Sequence, residues 1–367
     1  MTESIVLTGG PCGGKSSALP FLKERLEECG WRVLTVGETA TDLMQSGITP
    51  KGMRTPADYQ KVNTDYMFFK HNLFFKTAEI MPDDKPTVVI FDRGINDCLA
   101  YAERSVFEDA LKKHGTTPIA ARDRYGAVFH LTTAADGAEE YYTLKNNSVR
   151  TETPEQAIAL DRKTLNCWVG HPHLRVIGNK GDFNRKLNDL WAEVAGFLGI
   201  PKPCEIERKY LIRYPDFAEI EKNALHSKVD ITQVYLKTPN GNKFRVRKRG
   251  AGDDSVYIKT EKHQITDVVR TEVETRLTAA EYNELLQYAD PERNPINKTR
   301  HLVLWQGKYF ELDVYPFWQD RAIVELELTD ENELVELPPF LSVVKEVTDD
   351  KRYTNANLAK EVPYEQI

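Results

Sequence analysis

The chain has 367 residues, 41% hydrophobic and 29% charged, which is enough for two ordinary domains and too apolar for a disordered protein. Its net charge of −7 argues against a nucleic-acid carrier, although basic strands inside an acidic chain can still hold a polyanion. Five scattered cysteines (Cys12, Cys29, Cys98, Cys167 and Cys204) form no C-x-x-C pair, and no apolar run reaches membrane-spanning length; with no signal-peptide core behind Met1, a cytoplasmic protein is expected.

Up to residue 200, short apolar runs alternate with helical patterns. Strands are expected at Ser4–Thr8, Arg32–Gly37, Thr87–Asp92, Ala127–Leu131 and Leu174–Gly178. Helices are expected at Lys15–Glu28, Ala57–Ile80, Ile95–Lys113, Pro154–Trp168 and Phe183–Leu198. This alternation predicts an α/β domain with a doubly wound parallel sheet. Two prolines in Gly199–Cys204 place a boundary there, giving domains 1–200 and 201–367. Beyond it, runs at Lys243–Arg249, Ser255–Lys259, Val269–Arg276, Leu302–Trp305, Tyr309–Val314 and Ala322–Leu328 alternate with period two. They predict an antiparallel sheet with turns at Gly241, Gly252 and Gly307, and helices at Ala279–Tyr288 and near Asn355–Lys360.

Behind the first strand, Gly9-Gly10-Pro11-Cys12-Gly13-Gly14-Lys15-Ser16 fits G-x4-GK[ST]. Glycines let backbone N–H groups turn toward phosphate oxygens, and the following helix adds its positive end. Lys15 would reach the β/γ-phosphates and Ser16 would hold Mg²⁺; Gly9, Gly10, Cys12, Gly13, Gly14 and Ser17 complete the expected nucleotide-binding set. Asp92, at the end of a buried strand, would take the metal side or activate a phosphoryl acceptor. Arg150 and Arg162 flank a polar stretch, Asn146–Glu155, that would close over transferred charge or simply be solvated. Asn179-Lys180-Gly181-Asp182 matches the N-K-x-D pattern that reads guanine, while Asp182 also suits a helix N-cap ahead of Phe183. ATP and GTP both remain open as ligands.

In the second half, Glu205, Glu207 and Lys209 share one strand face, a costly row unless it meets water or ligand. The pattern repeats in Arg245/Arg247/Arg249, Arg270/Glu272/Glu274, Lys298/Arg300, Glu311/Asp313 and Glu325/Glu327. If the sheet closes with these faces inward, the result is a polar tunnel whose bases suit a triphosphate and whose paired acids suit an oxygen-bound divalent metal. A solvent face would explain one such strand more easily than six.

Asp92-Arg93-Gly94, the Arg150 segment and Glu38-Thr39 resemble the P-loop kinases related to nucleotide and nicotinamide-riboside kinases, which makes Glu38 a candidate on the acceptor side. Residues 204–367 resemble the CYTH or triphosphate-tunnel metalloenzyme family, with further matches at Ile231-x-Gln233-x-Tyr235-Leu236 and Val347–Asn355. That resemblance implies an eight-stranded α+β antiparallel tunnel acting on triphosphates with Mg²⁺ or Mn²⁺. It further implies metal on Glu205, Glu207, Glu325 and Glu327, and phosphates on Lys209, Arg245, Arg247, Lys259, Arg270, Lys298 and Arg300. Glu272, Glu274, Glu311 and Asp313 would hold a second metal or orient water. The domain order also resembles the TRP-translocation-defect proteins, which bind GTP and an acidic phospholipid. Three readings therefore stand: a triphosphatase coupled to a nucleotide-binding domain, a nucleotide-gated binder of an acidic phospholipid or other anion, and a small-molecule kinase with a regulatory tunnel. The second would need an apolar entrance, for which Trp305, Phe310, Tyr315, Phe317 and Trp318 are the candidates, with an ordinary core as their other role.

Overall fold

The computed structural model describes residues 2–139, 153–200, 206–237, 243–264, 270–328 and 335–365. Two compact units divide the chain, Met1–Lys202 and Pro203–Ile367.

The first unit runs β1 (Thr2–Thr8), α1 (Lys15–Glu28), β2 (Arg32–Val36), α2 (Thr39–Gln45), α3 (Pro56–Glu79) and β3 (Thr87–Asp92). There follow α4 (Cys98–Tyr101), α5 (Arg104–Lys113), α6 (Pro118–Arg122), β4 (Ala127–Leu131), α7 (Pro154–Asn166), β5 (Leu174–Ile177) and α8 (Phe183–Leu198). All five strands are parallel in the order β2-β3-β1-β4-β5, so β1 sits centrally and delivers its C-terminal end to the loop before α1. The central strands β1, β3 and β4 are buried on both faces, as parallel strands covered by helices must be. One face is packed by α1 and α8, whose Ala18, Leu22, Leu26, Leu190 and Val194 share a cluster with Ile5, Leu7 and Phe129. On α3, α5 and α6, Phe68, Phe107, Leu111 and Ala121 close a second cluster around Ile95 and Cys98.

The continuous helix expected at Ile95–Lys113 is broken in three. Asp97 accepts the Gly94 N–H at 2.7 Å, tightening Ile95–Asp97 into a 3-10 turn, and Ala102 and Glu103 adopt extended backbone that restarts the helix at Arg104. The short α2 and α6 carry too few residues for a visible period and were not expected.

The second unit comprises β6 (Ile206–Arg213), α9 (Phe217–Asn223), β7 (Leu225–Lys237), β8 (Lys243–Ala251), β9 (Asp254–Gln264), β10 (Arg270–Leu277) and α10 (Ala279–Leu285). It continues with β11 (Ile296–Trp305), β12 (Lys308–Val314), β13 (Arg321–Leu328), β14 (Val343–Glu346) and α11 (Asn355–Leu358). Every pairing is antiparallel, in the order β10-β9-β8-β7-β11-β12-β13-β6-β14. Among the described residues the sheet therefore has nine strands rather than eight. The extra one, β14, is four residues long with an irregular register against β6, and no period-two run announces it.

One face of this sheet is apolar and covered. Tyr210, Ile212, Val303, Phe310, Leu312, Val324 and Leu326 pack with Ile220 of α9, and Val234, Leu236, Phe244 and Val246 pack with Tyr282 of α10. The opposite face carries the charges. Near one end that face is plugged by Leu211, Ile296, Tyr315, Trp318, Ile323 and Tyr353. Tyr315 and Trp318, like Phe310, are thus core residues, and no apolar entrance is built from them.

Candidate functional site

The loop between β1 and α1 has a backbone that few side chains tolerate. Gly9 and Gly14 lie at φ 137° and 91°, and Cys12 at φ 56°. A Cβ on Gly13 would lie 2.5 Å from the Leu131 carbonyl oxygen, so the loop rests directly on the end of β4. Lys15 turns back over the loop and donates to the carbonyls of Gly9 at 2.9 Å and Gly10 at 3.0 Å. Burial, helped by the nearby Arg93, pulls its ammonium down to about 8, against the attraction of Asp92 and Glu38.

Asp92 ends β3 beside this lysine, its carboxyl pushed up chiefly by burial, and its Oδ1 is buried with no hydrogen-bond partner among the described residues. Next to it Arg93, at φ 70°, reaches Glu38 Oε1 with Nε at 2.6 Å and the Gly9 carbonyl at 3.2 Å. Burial alone would raise the Glu38 carboxyl, but Arg93, Lys15 and the Thr41 hydroxyl outweigh it and hold it down to about 2. The structure thus gathers Lys15, Glu38, Asp92 and Arg93 in one charged group.

Asn179 and Asp182 have structural partners. Asn179 Nδ2 donates at 2.7 Å to the carbonyls of both Thr133 and Asp136, which uses both amide hydrogens, and its Oδ1 accepts from Lys186 at 2.7 Å. Asp182 Oδ1 caps α8 by accepting the Arg185 N–H at 2.8 Å. Arg162 is an exposed residue of α7, and Arg150 lies outside the described residues. Next to Arg162, Asp161 is buried and accepts from the phosphate loop itself, at Gly10 N, at 2.6 Å. No sequence pattern singles it out.

In the second unit, strand register decides which charges meet. Residues opposite one another in antiparallel strands share a face. Gln233 faces Arg247 and Tyr235 faces Arg245; Ile231 faces both Arg249 and Lys298; Arg300 faces Asp313; Glu311 faces Glu325; Glu325 faces Lys209, and Glu327 faces Glu207. The polar row runs from β8 to β6, interrupted on β7 by Ile231 and Val229. Arg245 also faces Thr260, whose hydroxyl donates to Glu274 at 3.1 Å, which brings β9 and β10 into the same row.

Lys259 does not join it. The register sets Lys259 opposite Val246 on the apolar face, where its ammonium lies 4.8 Å from the Phe244 ring centre and 3.0 Å from Glu261. This corrects its expected place among the phosphate-gripping cations. Glu205 lies outside the described residues, as do the side chains of Arg270 and Glu272.

The centre of the row is an ion network. Lys298 donates to Asp313, Lys209 meets Glu325 at 2.8 Å and Glu207 at 3.4 Å, and Arg300 joins Glu311, Asp313 and Glu325 (the last at 3.2 Å). Burial pushes the Asp313 carboxyl up, but Arg300 and Lys298 outweigh it and leave it at about 2. Glu311 goes the other way, raised by burial and by neighbouring carboxylates beyond what Arg300 returns. Burial also lowers Lys298 to about 8 and, with Arg245 alongside, Arg247 to about 10. Among the described residues no three Asp, Glu, His or Cys side chains are gathered for one metal ion. Glu207 and Glu327 face each other on the polar side, with Glu325 two residues along β13.

Comparison with known proteins follows the same division. The AAA domain family matches residues 4–186 and the CYTH domain family residues 204–344. An inorganic triphosphatase of Acetivibrio thermocellus is 31% identical over 164 residues, spanning 44% of this chain and 97% of that protein. One from Nitrosomonas europaea is 32% identical over 163 residues, spanning 43% and 99%. A crystal structure of an inorganic triphosphatase is 30% identical, covers 44% of this chain and 97% of its own, and has a TM-score of 0.32. No described helix is long and apolar enough to cross a membrane. The chain belongs to the CYTH domain family, with a P-loop-type AAA domain preceding the CYTH domain in sequence.

Proposed function

We propose that the second unit hydrolyses an inorganic or organic triphosphate with the help of a divalent cation, and that the first unit binds ATP or GTP through its phosphate loop. The observation that carries the reading is the in-register row Arg245–Arg247–Lys298–Arg300–Lys209, interleaved with Glu311, Asp313 and Glu325. Cations alone would repel one another in a buried site; the carboxylates hold them in place until phosphate oxygens supply the charge instead. The inorganic triphosphatase relatives support this choice of substrate class.

Arg245, Arg247, Lys209, Lys298 and Arg300 would bind the phosphate oxygens. Mg²⁺ or Mn²⁺, held by Glu205, Glu207, Glu325 and Glu327, would neutralise further phosphate charge. Attack by water on the terminal phosphorus forms one P–O bond and breaks the bridging one, releasing phosphate and diphosphate. The water's proton needs an acceptor. Asp313, held at about 2, is a weak base; Glu311, whose carboxyl is raised by burial, is the better one.

The test is phosphate release from tripolyphosphate with Mg²⁺ or Mn²⁺, measured on Lys15→Ala protein so that the phosphate loop is silent. Release that disappears in Glu205→Ala/Glu207→Ala supports the reading. No release from any triphosphate overturns it and moves weight to an anion-binding tunnel, with acidic phospholipid vesicles as the next ligand to try.

A second reading is favoured by the Glu38–Arg93 pair beside Lys15 and Asp92: the first unit transfers a phosphoryl group to a small hydroxyl compound that Glu38 orients. It predicts that Glu38→Gln leaves nucleotide affinity within about threefold while transfer falls by about 10²-fold or more.

A further inference from the structure

The phosphate loop is held from outside by residues that neither the loop pattern nor the metal acid accounts for. Asp161, in the middle of α7, is 5% exposed. Its Oδ1 accepts the Gly10 N–H at 2.6 Å and the Thr133 N–H at 3.2 Å, and its Oδ2 lies 3.1 Å from His130 Nε2. Thr133 then donates its hydroxyl to the Pro11 carbonyl, and the Ala134 N–H reaches the Cys12 carbonyl at 3.1 Å. Three consecutive loop residues are thereby tied to α7 and to the segment after β4. That segment is itself fixed, because Lys186 donates to the Thr132 carbonyl at 2.6 Å and Asn179 to that of Thr133.

We propose that Asp161 is a positioning residue for the phosphate loop, fixing the backbone of Gly10–Cys12 in its anion-receiving shape before any nucleotide arrives. The proposal rests on the reading that this loop binds nucleotide phosphates. Two features support it. The approach is tight: a Cβ on Gly10 would lie 2.8 Å from both Cβ and Oδ1 of Asp161, so glycine at this position is required by the brace. The loop also holds Cys12 at φ 56°, a strained conformation that persists only where surrounding contacts over-determine it. Asp161 never meets the phosphates directly; it acts through Gly10 and Thr133. The Asn179 seen as a guanine reader belongs to the outer layer of the same brace.

The experiment compares Asp161→Ala and Asp161→Asn in the full-length chain by two measurements. Hydrogen–deuterium exchange of the ligand-free protein is followed in a peptide covering residues 8–18, with peptides from β1, β3 and β4 as controls. Binding of ATP and of GTP is measured by calorimetry. The alanine variant should exchange faster in the loop alone and bind nucleotide about tenfold or more weakly, the scale of one lost charge-assisted hydrogen bond. The asparagine variant, whose amide oxygen still accepts from Gly10 and Thr133, should recover both to within about threefold. Unchanged exchange in the loop of Asp161→Ala overturns the proposal, as does an increase spread evenly over the control peptides. If the parent chain binds neither nucleotide, the nucleotide reading fails separately, and the exchange result still decides whether Asp161 shapes the loop.

Discussion

Arg300 and Asp313 face each other across β11 and β12, and the guanidinium takes both carboxylate oxygens, Nε to Oδ1 and Nη2 to Oδ2, each at 2.7 Å. The same side chain also holds Glu311 and Glu325, so one cation serves three acids, with Lys298 sharing Asp313 and Lys209 sharing Glu325. Arg300→Ala should therefore destabilise the second unit by about 3–5 kcal/mol at neutral pH, because the acids stay buried without it. Arg300→Lys should recover only part, since an ammonium has no planar fork. Urea unfolding followed by fluorescence checks both. The acid limb moves as well. Asp313 sits at about 2 in the folded protein and higher when unfolded, so its stabilisation is full above about pH 4 and lost as pH falls toward 2. Without Arg300 the folded value rises toward the unfolded one, so this acid loss should shrink.

Lys259 lies on the covered apolar face while Arg247 lies on the polar one. Lys259→Ala should leave the KM for tripolyphosphate within about twofold, whereas Arg247→Ala should raise it about tenfold or more, as expected for removing a charged phosphate contact. Steady-state kinetics on the two variants separates the faces. Equal damage from both would contradict the placement of Lys259 on the apolar face.

On the proposed nucleotide-binding role Lys15 must carry its proton to hold phosphate, and burial leaves it at about 8. Nucleotide affinity should be flat below about pH 7.5 and fall by roughly tenfold per unit well above pH 8. Glu38 pulls the proton on, so Glu38→Gln should move the break to lower pH. Calorimetric titration across this range is the check, and a profile flat to about pH 9.5 would contradict the assignment.

On the apolar face of the sheet, His226 Nε2 and His301 Nδ1 are 2.8 Å apart with their rings stacked, and Phe217 of α9 stacks on His301 at 4.1 Å. Burial lowers both, His301 to about 4, with Lys228 adding repulsion and Glu221, Asp230 and Asp313 opposing it. The folded state thus prefers both rings neutral. Stability is full above the unfolded histidine value near 6.5 and is lost as pH falls toward about 4. His301→Phe should flatten the drop in Tm between pH 7 and about 4.5; an unchanged slope would clear this pair of responsibility for it.

Much of this could be seen in the residues alone. G-x4-GK[ST] behind an apolar run fixes strand, loop and helix together, because each is needed to turn backbone donors toward an anion. Glu311/Asp313 and Glu325/Glu327 likewise announce a polar face, since like charges two apart cannot both be buried by accident. Lys259 shows the limit. Tyr257-Ile258-Lys259-Thr260-Glu261 alternates in either phase, and only pairing with β8 decides which phase faces inward. Asp161 was invisible for another reason: one acid within a largely polar helix looks solvated until the fold sets Gly10 against it. The break at Ala102–Glu103 has no glycine or proline to mark it.

The four-residue β14 guards more than its length suggests. It is the outer neighbour of β6, which carries Glu207 and Lys209, and it presents Lys345 and Glu346 along with an irregular register to the outside. Short, charged and kinked edges discourage recruitment of a foreign strand. Unpairing β14 would turn Tyr210–Ile212 of β6 into an open template, so the first defect should be self-association through the strand that supports the polar row, ahead of any failure in chemistry.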